Sequence, residues 1–394
     1  MTEQDNLPLS GVRVIEFSHM VMGPTVGVIL ADLGADVVKV EPIDGDNTRR
    51  LQGSGAGFFS MYNRNKRSIC VDLKSDAGGA LAKKLINSAD VVIENFRPGA
   101  MDKLGYGYDA LAVDNPGLIY CSARGFLSGP YEHRAALDEV VQMMGGLAYM
   151  TGLPDRPMRA GASVVDVMGG MFAVIGILAA LESRHKTGKG KRVVSSLFES
   201  VAFLMGQHMA QEVAQNAPVK PMSIRTSAWG IYDVFATQDD ESVFVAVVSD
   251  TQWRKFCESF ELDDFLADKS LAANGDRGQA RDRVLPVIQN LFATFTKSEL
   301  MTRLDECGLP FAGIGKPSDL FDEPHLLASG GLLDVTLQDG TQTRLPGLPL
   351  QMDGKRFGLR HDLPKHGEHT QEILKAAGFA DEEISGLFDD KVIA

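Results

Sequence analysis

The stretch Gly161-Ala-Ser-Val-Val-Asp166-Val-Met-Gly-Gly170 places one carboxylate between a β-branched run and a helix that opens with two glycines. The apolar run from Met171 to Leu181 continues that helix, and Lys186-Thr-Gly-Lys-Gly-Lys191 ends it. An aspartate at a helix start has two uses. Its side chain can cap the first turn by accepting orphan N–H groups. It can equally act as a nucleophile where small residues let a substrate come close. Chemistry at this one position leaves both readings open.

Two loops carry groups suited to anions. Asn63-Arg64-Asn65-Lys66-Arg67 sets three cations between glycine-rich sequence and a strand, with a solvated charge run as the plain alternative. Glu94-Asn-Phe-Arg97-Pro-Gly99 ends a strand, adds Asn95 and Arg97, and opens a helix whose N-terminus favours phosphate. Both loops are expected at the carboxyl ends of strands on one sheet edge, where they would converge on a phosphate-rich ligand. A dinucleotide site is rejected, because Ser18-His-Met-Val-Met-Gly23-Pro24 lacks the glycine fingerprint and Glu41 alone means little.

The elements that would position these groups alternate. Strands are expected at Val12–Phe17, Val37–Glu41, Ser68–Asp72, Asp90–Glu94 and Leu118–Ser122, with helices at Thr25–Leu33 and Ala77–Ser88. Such alternation implies parallel βαβ units, and ligands settle beyond the carboxyl ends of the strands. From Asp138 to Leu204 the pattern reads as helical. Gly230–Thr237 and Ser242–Val248 flank the acidic turn Gln238-Asp-Asp-Glu241 and read as a hairpin. Helices are expected at Thr251–Phe260, Arg281–Phe295, Ser298–Cys307 and Thr370–Ala377, and Leu332–Pro349 is strand-like. The fold class is α/β: an open parallel-sheet, Rossmann-like large domain of residues 1–219 plus 331–394, with a smaller α+β domain inserted at 220–330.

With 394 residues, 44% hydrophobic and 23% charged, the chain has a globular profile with room for two domains. A net charge of −13 argues against nucleic acid and anionic membrane as partners. Cys70, Cys121, Cys257 and Cys307 are far apart, so neither a zinc site nor a disulfide framework follows. The N-terminal sequence lacks a basic and apolar leader, and the apolar segment Met168–Leu181 falls short of the ~20 residues that span a bilayer. A cytoplasmic protein is expected.

Leu9-Ser-Gly-Val-Arg-Val-Ile-Glu-Phe17, Ala31-Asp-Leu-Gly-Ala-Asp-Val-Val-Lys-Val-Glu41, Asn63-Arg-Asn-Lys66, Glu94–Gly99, Gly188-Lys-Gly190, Ser249-Asp-Thr-Gln-Trp253 and Gly367-Glu-His-Thr370 follow one another along nearly the whole chain. In order and spacing the chain resembles class III CoA transferases, the group of formyl-CoA:oxalate and carnitine CoA transferases. The resemblance implies that Asp166 is a nucleophile attacking an acyl-CoA thioester, aligned by Gly161, Gly169-Gly170 and the following helix. An aspartyl anhydride and an aspartyl-CoA thioester would follow, with N–H groups of the glycine-containing turn stabilising oxyanions. It implies an interlocked homodimer and coenzyme A thioester as substrate, without a tightly bound cofactor or a metal. Lys39, Arg67, Lys74, Asn95, Arg97 and Lys103 are then the candidates for holding CoA.

The substrate side departs from the oxalate enzymes. Val21 stands where they carry glutamine, Leu137 rather than an aromatic residue precedes Asp138, and their glycine-run loop has no counterpart near Arg225. His19, Val21, Leu137 and Arg225 are the candidate substrate residues, and Arg225 could hold a second carboxylate in bidentate fashion. A succinyl-type donor and a small dicarboxylate, or a sulfinate analogue, are expected. Two alternatives stand beside this: an α-methylacyl-CoA racemase, and a non-catalytic CoA-binding protein. The racemase would need a second acid or base where Leu137 stands, and His133 lies upstream.

Overall fold

The computed structural model describes residues 7–225 and 227–394. Two compact units divide it, one formed by the chain up to Ser223 and from Pro324 onward, the other by Ile224–Glu323. The divisions fall a few residues from the expected 220 and 330.

In the first unit, six strands form one sheet: β1 (Arg13–Phe17), β2 (Asp36–Glu41), β3 (Lys66–Cys70), β4 (Val91–Glu94), β5 (Ile119–Arg124) and β6 (Arg192–Ser196). Their order is β3-β2-β1-β4-β5-β6 and all neighbours are parallel. A parallel sheet covered on both faces favours apolar residues at successive positions, which is why β4 opens on Val-Val-Ile and β1 carries Val14-Ile15 and Phe17. β6 was expected to be helical. It is an edge strand with an exposed Arg192 and a polar Ser-Ser end, so it lacks the apolar run that betrays the central strands.

The helices of this unit are α1 (Met22–Asp32), α2 (Phe58–Tyr62), α3 (Asp76–Asn87), α4 (Ala100–Lys103), α5 (Tyr108–Asp114), α6 (Asp138–Met144), α7 (Leu147–Thr151), α8 (Val164–Thr187) and α9 (Leu197–Gln215). Successive strand residues point to opposite faces. Val14, Val37, Ile93 and Ile119 pack with Leu30 of α1 and with Val174 and Ile177 of α8. Ile15, Phe17, Val38 and Ile69 pack on the other face with Leu81 and Leu85 of α3. The chain's end returns to that second face, where the helix Thr370–Ala376 contributes Ile373 and Leu374.

α8 runs for 24 residues and stops at Gly188, which takes the left-handed conformation at φ 70°. By length and composition it could cross a membrane, which corrects the expectation that this segment is too short. In the structure it lies against α1 and the sheet, and two glycines set how close it comes. A Cβ on Gly170 would stand 2.8 Å from Thr25 Cβ and 3.0 Å from the Met22 carbonyl, and one on Gly169 would stand 2.7 Å from Met22 Cε.

In the second unit, β7 (Ile231–Ala236), β8 (Ser242–Val247) and β9 (Phe311–Gly313) form an antiparallel sheet. Phe235, Val243 and Val245 pack on Trp253, Phe256, Ile288 and Phe292 of the helices Asp250–Ser259 and Arg281–Phe292. Back in the first unit, the strand-like stretch after Leu332 is a hairpin of β10 (Leu332–Thr336) and β11 (Gln342–Pro346).

Candidate active site

Between β1 and β4 the sheet order reverses, with β2 and β3 on one side and β5 and β6 on the other. Connections diverge at such a point and leave a crevice beyond the carboxyl ends of two strands. β1 runs out into Ser18-His19-Met20 and β4 into Asn95-Phe96-Arg97. The loops are tied together: Asn95 Nδ2 donates to the His19 carbonyl at 2.8 Å, and the His19 N–H donates to Asn95 Oδ1 at 3.1 Å. Met20, at φ 64°, donates its N–H to Thr48 Oγ1 at 3.0 Å. The His19 ring lies against Phe96, centroids 6.0 Å apart. Desolvation lowers the imidazole pKa; Asp46 opposes the shift and Lys39 adds to it, so the ring is neutral at neutral pH.

Asp166 is the third residue of α8 and does not cap it; Ser163, at the capping position, makes no side-chain cap. The cap comes from another helix. Asp138 opens α6, is buried, and accepts the N–H groups of Val165 at 2.8 Å and Asp166 at 3.0 Å on Oδ2. Its Oδ1 accepts Gln142 Nε2 at 2.5 Å, and Gln142 Oε1 takes the Ala160 N–H at 2.8 Å. Arg159 Nη2 stands 3.6 Å from the same Oδ1. Desolvation and the neighbouring Asp138 push Asp166 up to about 7, with Arg159 opposing. A half-buried carboxyl in that range exchanges between its neutral and charged forms near neutral pH, which suits a nucleophile or a general base. Burial, followed by the charges of Asp166 and Asp138, also raises the Tyr62 phenol at the end of α2.

Several expectations are corrected by these positions. No strand leads directly into Asp166; residues 157–163 are irregular. Gly169 and Gly170 lie inside α8, where their N–H groups belong to the helix ladder, and those of Val165 and Asp166 are occupied by Asp138. Gly169 and Gly170 therefore serve packing against α1, and their N–H groups, like those of Val165 and Asp166, are not offered to an oxyanion. Asn63–Arg67 leads into β3, so it lies at the amino edge of the sheet, opposite the crevice. There Arg67 is fixed by Asp36 at 2.7 Å and Glu372 at 2.9 Å, and Arg64 by Asp32 at 2.7 Å. These are structural ion pairs that tie β3 to β2 and to the returning C-terminal helix, and the loop before β3 to α1.

Lys39 is fully buried, 3.0 Å from Asp46 Oδ2 and 3.6 Å from Glu16 Oε1, and donates to the Ser18 carbonyl at 2.6 Å. It braces the switch-point loop from beneath instead of meeting a ligand phosphate. Val21 is 1% exposed, so its side chain packs in the interior and presents nothing to a substrate. Lys74, Arg97 and Lys103 are exposed in the connections that leave β3 and β4, on the crevice edge. Leu137, 65% exposed, directly precedes Asp138. Arg225 belongs to the second unit, its guanidinium 5.8 Å from the Tyr232 ring centroid. Sequence reasoning gave no role to Gln142, Arg159 or Tyr62, and treated Asp138 only as the residue after Leu137. The one available signal was the i, i+4 spacing of Asp138 and Gln142 on a helix face.

Against known proteins, the model of CoA-transferase family III matches residues 9–370. A succinate–glutarate CoA-transferase from Agrobacterium fabrum is 35% identical over 95% of this chain and 97% of its own length. A succinyl-CoA:glutarate CoA-transferase from Mus musculus is 30% identical over 93% of this chain and 86% of its own. The crystal structure of a CaiB/BaiF family protein from Brucella suis superposes with a TM-score of 0.82 at 32% identity, covering 94% of this chain and all of that one. With the fold and a near-full-length match in agreement, the chain belongs to CoA-transferase family III and is an enzyme of CoA transfer between acyl-CoA and carboxylate.

Proposed function

We propose that Asp166 is the nucleophile of a two-stage transfer from a succinyl-CoA-type donor to a small dicarboxylic acid. The observation that carries this is a half-buried carboxyl, pushed up to about 7, on the first turn of a long helix wedged against α1. Its oxygen attacks the thioester carbonyl, the C–S bond breaks, and CoA leaves as thiolate, giving an aspartyl anhydride. The thiolate then attacks the aspartyl carbonyl; the anhydride C–O bond breaks and the donor acid departs. An acceptor carboxylate repeats both exchanges in reverse, so the thioester energy is kept throughout.

Lys74, Arg97 and Lys103 supply the positive charge for CoA phosphates on an otherwise acidic chain. Arg225 is proposed as the group that recognises the distal carboxylate of a dicarboxylic acyl chain, because a guanidinium pairs with carboxylate through two parallel bonds. The activities for which the relatives from A. fabrum and M. musculus are named support a dicarboxylate pair. A second copy of the chain is the proposed partner. Met171, Ile175 and Phe203 stand 51%, 59% and 73% exposed on α8 and α9, large apolar side chains of the kind a second copy would cover. All four cysteines are buried free thiols, which supports a reducing, cytoplasmic setting.

The test is a mass-spectrometric transfer assay with succinyl-CoA, a panel of dicarboxylic acids and a sulfinate, run beside Asp166→Ala and Arg225→Ala. New acyl-CoA species that require Asp166 are expected, and Arg225→Ala should raise KM for succinyl-CoA more than for acetyl-CoA. A carboxyl near 7 would also suit proton exchange at an α-carbon. Deuterium entering a branched acyl-CoA, with no transfer product, would move the protein to the racemase reaction.

A further inference from the structure

We infer that Asn95 and Arg124 are positioning residues, which hold the switch-point loop in the shape that receives the acyl-CoA. This rests on reading the carboxyl edge of the sheet as the CoA site. Arg124 is the last residue of β5, and the fully buried Glu94 is the last of β4. Arg124 grips Glu94 with both nitrogens of its fork, Nη2 to Oε1 at 2.5 Å and Nη1 to Oε2 at 2.8 Å. Nη1 also donates to the Phe96 carbonyl at 2.9 Å, while the Phe96 N–H donates to Glu94 Oε2 at 3.1 Å. A planar, two-bond fork fixes direction as well as distance. The loop after β4 is therefore fastened by a side chain from the neighbouring strand.

Asn95 passes that constraint on to the β1 loop. Its N–H donates to the Phe17 carbonyl at 3.3 Å, carrying the β1–β4 pairing one residue past the strands. Its carboxamide then brackets His19, accepting the N–H and donating to the carbonyl. Gly23 makes room for this, since a Cβ there would come within 3.0 Å of Asn95 Cγ. The bracketed residue precedes Met20, whose left-handed φ of 64° needs outside support to persist. From Arg124 through Glu94, Phe96 and Asn95 to His19, the ends of β5, β4 and β1 form one hydrogen-bonded frame. Exposed Arg97, two residues beyond Asn95, has its starting point set by that frame.

The experiment compares Asn95→Ala, Arg124→Lys and their double variant with the wild type. It reads KM and kcat for succinyl-CoA, the thermal midpoint, and amide exchange at His19 in the free enzyme. Arg124→Lys keeps a cation beside Glu94 but loses the fork, and it does not touch His19. The frame predicts roughly tenfold faster exchange at His19 in Arg124→Lys, and an acyl-CoA KM raised about tenfold in each single variant. The double variant should be close to the worse single one, because both changes release the same loop. Unchanged His19 exchange in Arg124→Lys, or KM effects that multiply, would overturn the inference and make Asn95 an independent ligand contact. Arg97→Ala separates the two levels. If it too leaves KM unchanged, the CoA-site reading fails; if it raises KM while Asn95→Ala and Arg124→Lys do not, only the frame fails.

Discussion

Asp138 accepts the main-chain N–H of Asp166 at 3.0 Å, so two acids share one helix start. A helix N-terminus ordinarily steadies an anion. Here that stabilisation goes to Asp138, which takes the N–H groups of both Val165 and Asp166, and Asp166 is left facing a second carboxylate. Asp138→Asn keeps an oxygen for those N–H groups and removes the charge. The acidic limb of kcat/KM, expected near 7 from Asp166, should then move down by about one unit. A pH–rate profile checks this, and an unmoved limb would remove Asp138 as the cause.

The same shift makes a stability prediction of definite sign. Asp166 binds its proton more tightly folded than unfolded, since its pKa is raised from 3.8 to about 7. Between those values the native state holds the extra proton, so this group's contribution falls as pH rises. Asp166→Asn, which has no charge to desolvate, should gain about 1–2 kcal/mol over the wild type at pH 8, after discounting for partial exposure. The gain should vanish near pH 4. Melting curves at the two pH values decide it, and a variant less stable at pH 8 would contradict a charged carboxylate destabilised by burial and Asp138.

The sheet was legible where chemistry forced uniform patterns. β1 and β4 are buried on both faces; apolar runs such as Val14-Ile15 and Val91-Val92-Ile93 meet that demand, and Glu16 and Glu94 are buried there with Lys66 and Arg124 as partners. Asp166 stood out as a candidate because a carboxylate at a helix start beside small residues leaves two uses, cap or nucleophile, and in the structure it does not cap. Its setting was not legible: the capping partner comes from α6, 28 residues away, and sequence-local rules assign capping to Ser163 or to Asp166 itself. Charged residues misled for a related reason. Lys39 and Arg67 look like ligand contacts in a list of cations, yet both have acids as partners: Glu16 of β1 and Asp46 of the loop after β2 for Lys39, and Asp36 of β2 for Arg67. Arg124 drew no notice, because a single arginine at a strand end carries no signal until Glu94 is seen next to it.

The glycines of the motif divide into one kind that matters for packing and one that does not. At Gly170 an added Cβ would stand 2.8 Å from Thr25 Cβ and 3.0 Å from the Met22 carbonyl, and main chain cannot yield as a side-chain tip does. Gly170→Ala must push α8 off α1, which should cost about 1–3 kcal/mol of stability by overpacking. Asp166 sits one turn earlier on that helix, so kcat should fall with the stability, while an alanine at Gly161, which meets nothing within 4 Å, should leave the melting temperature nearly unchanged. Denaturant melts paired with turnover measurements test the contrast. A Gly170→Ala enzyme with wild-type stability and kcat would show that the α1–α8 contact does not set the position of the carboxylate.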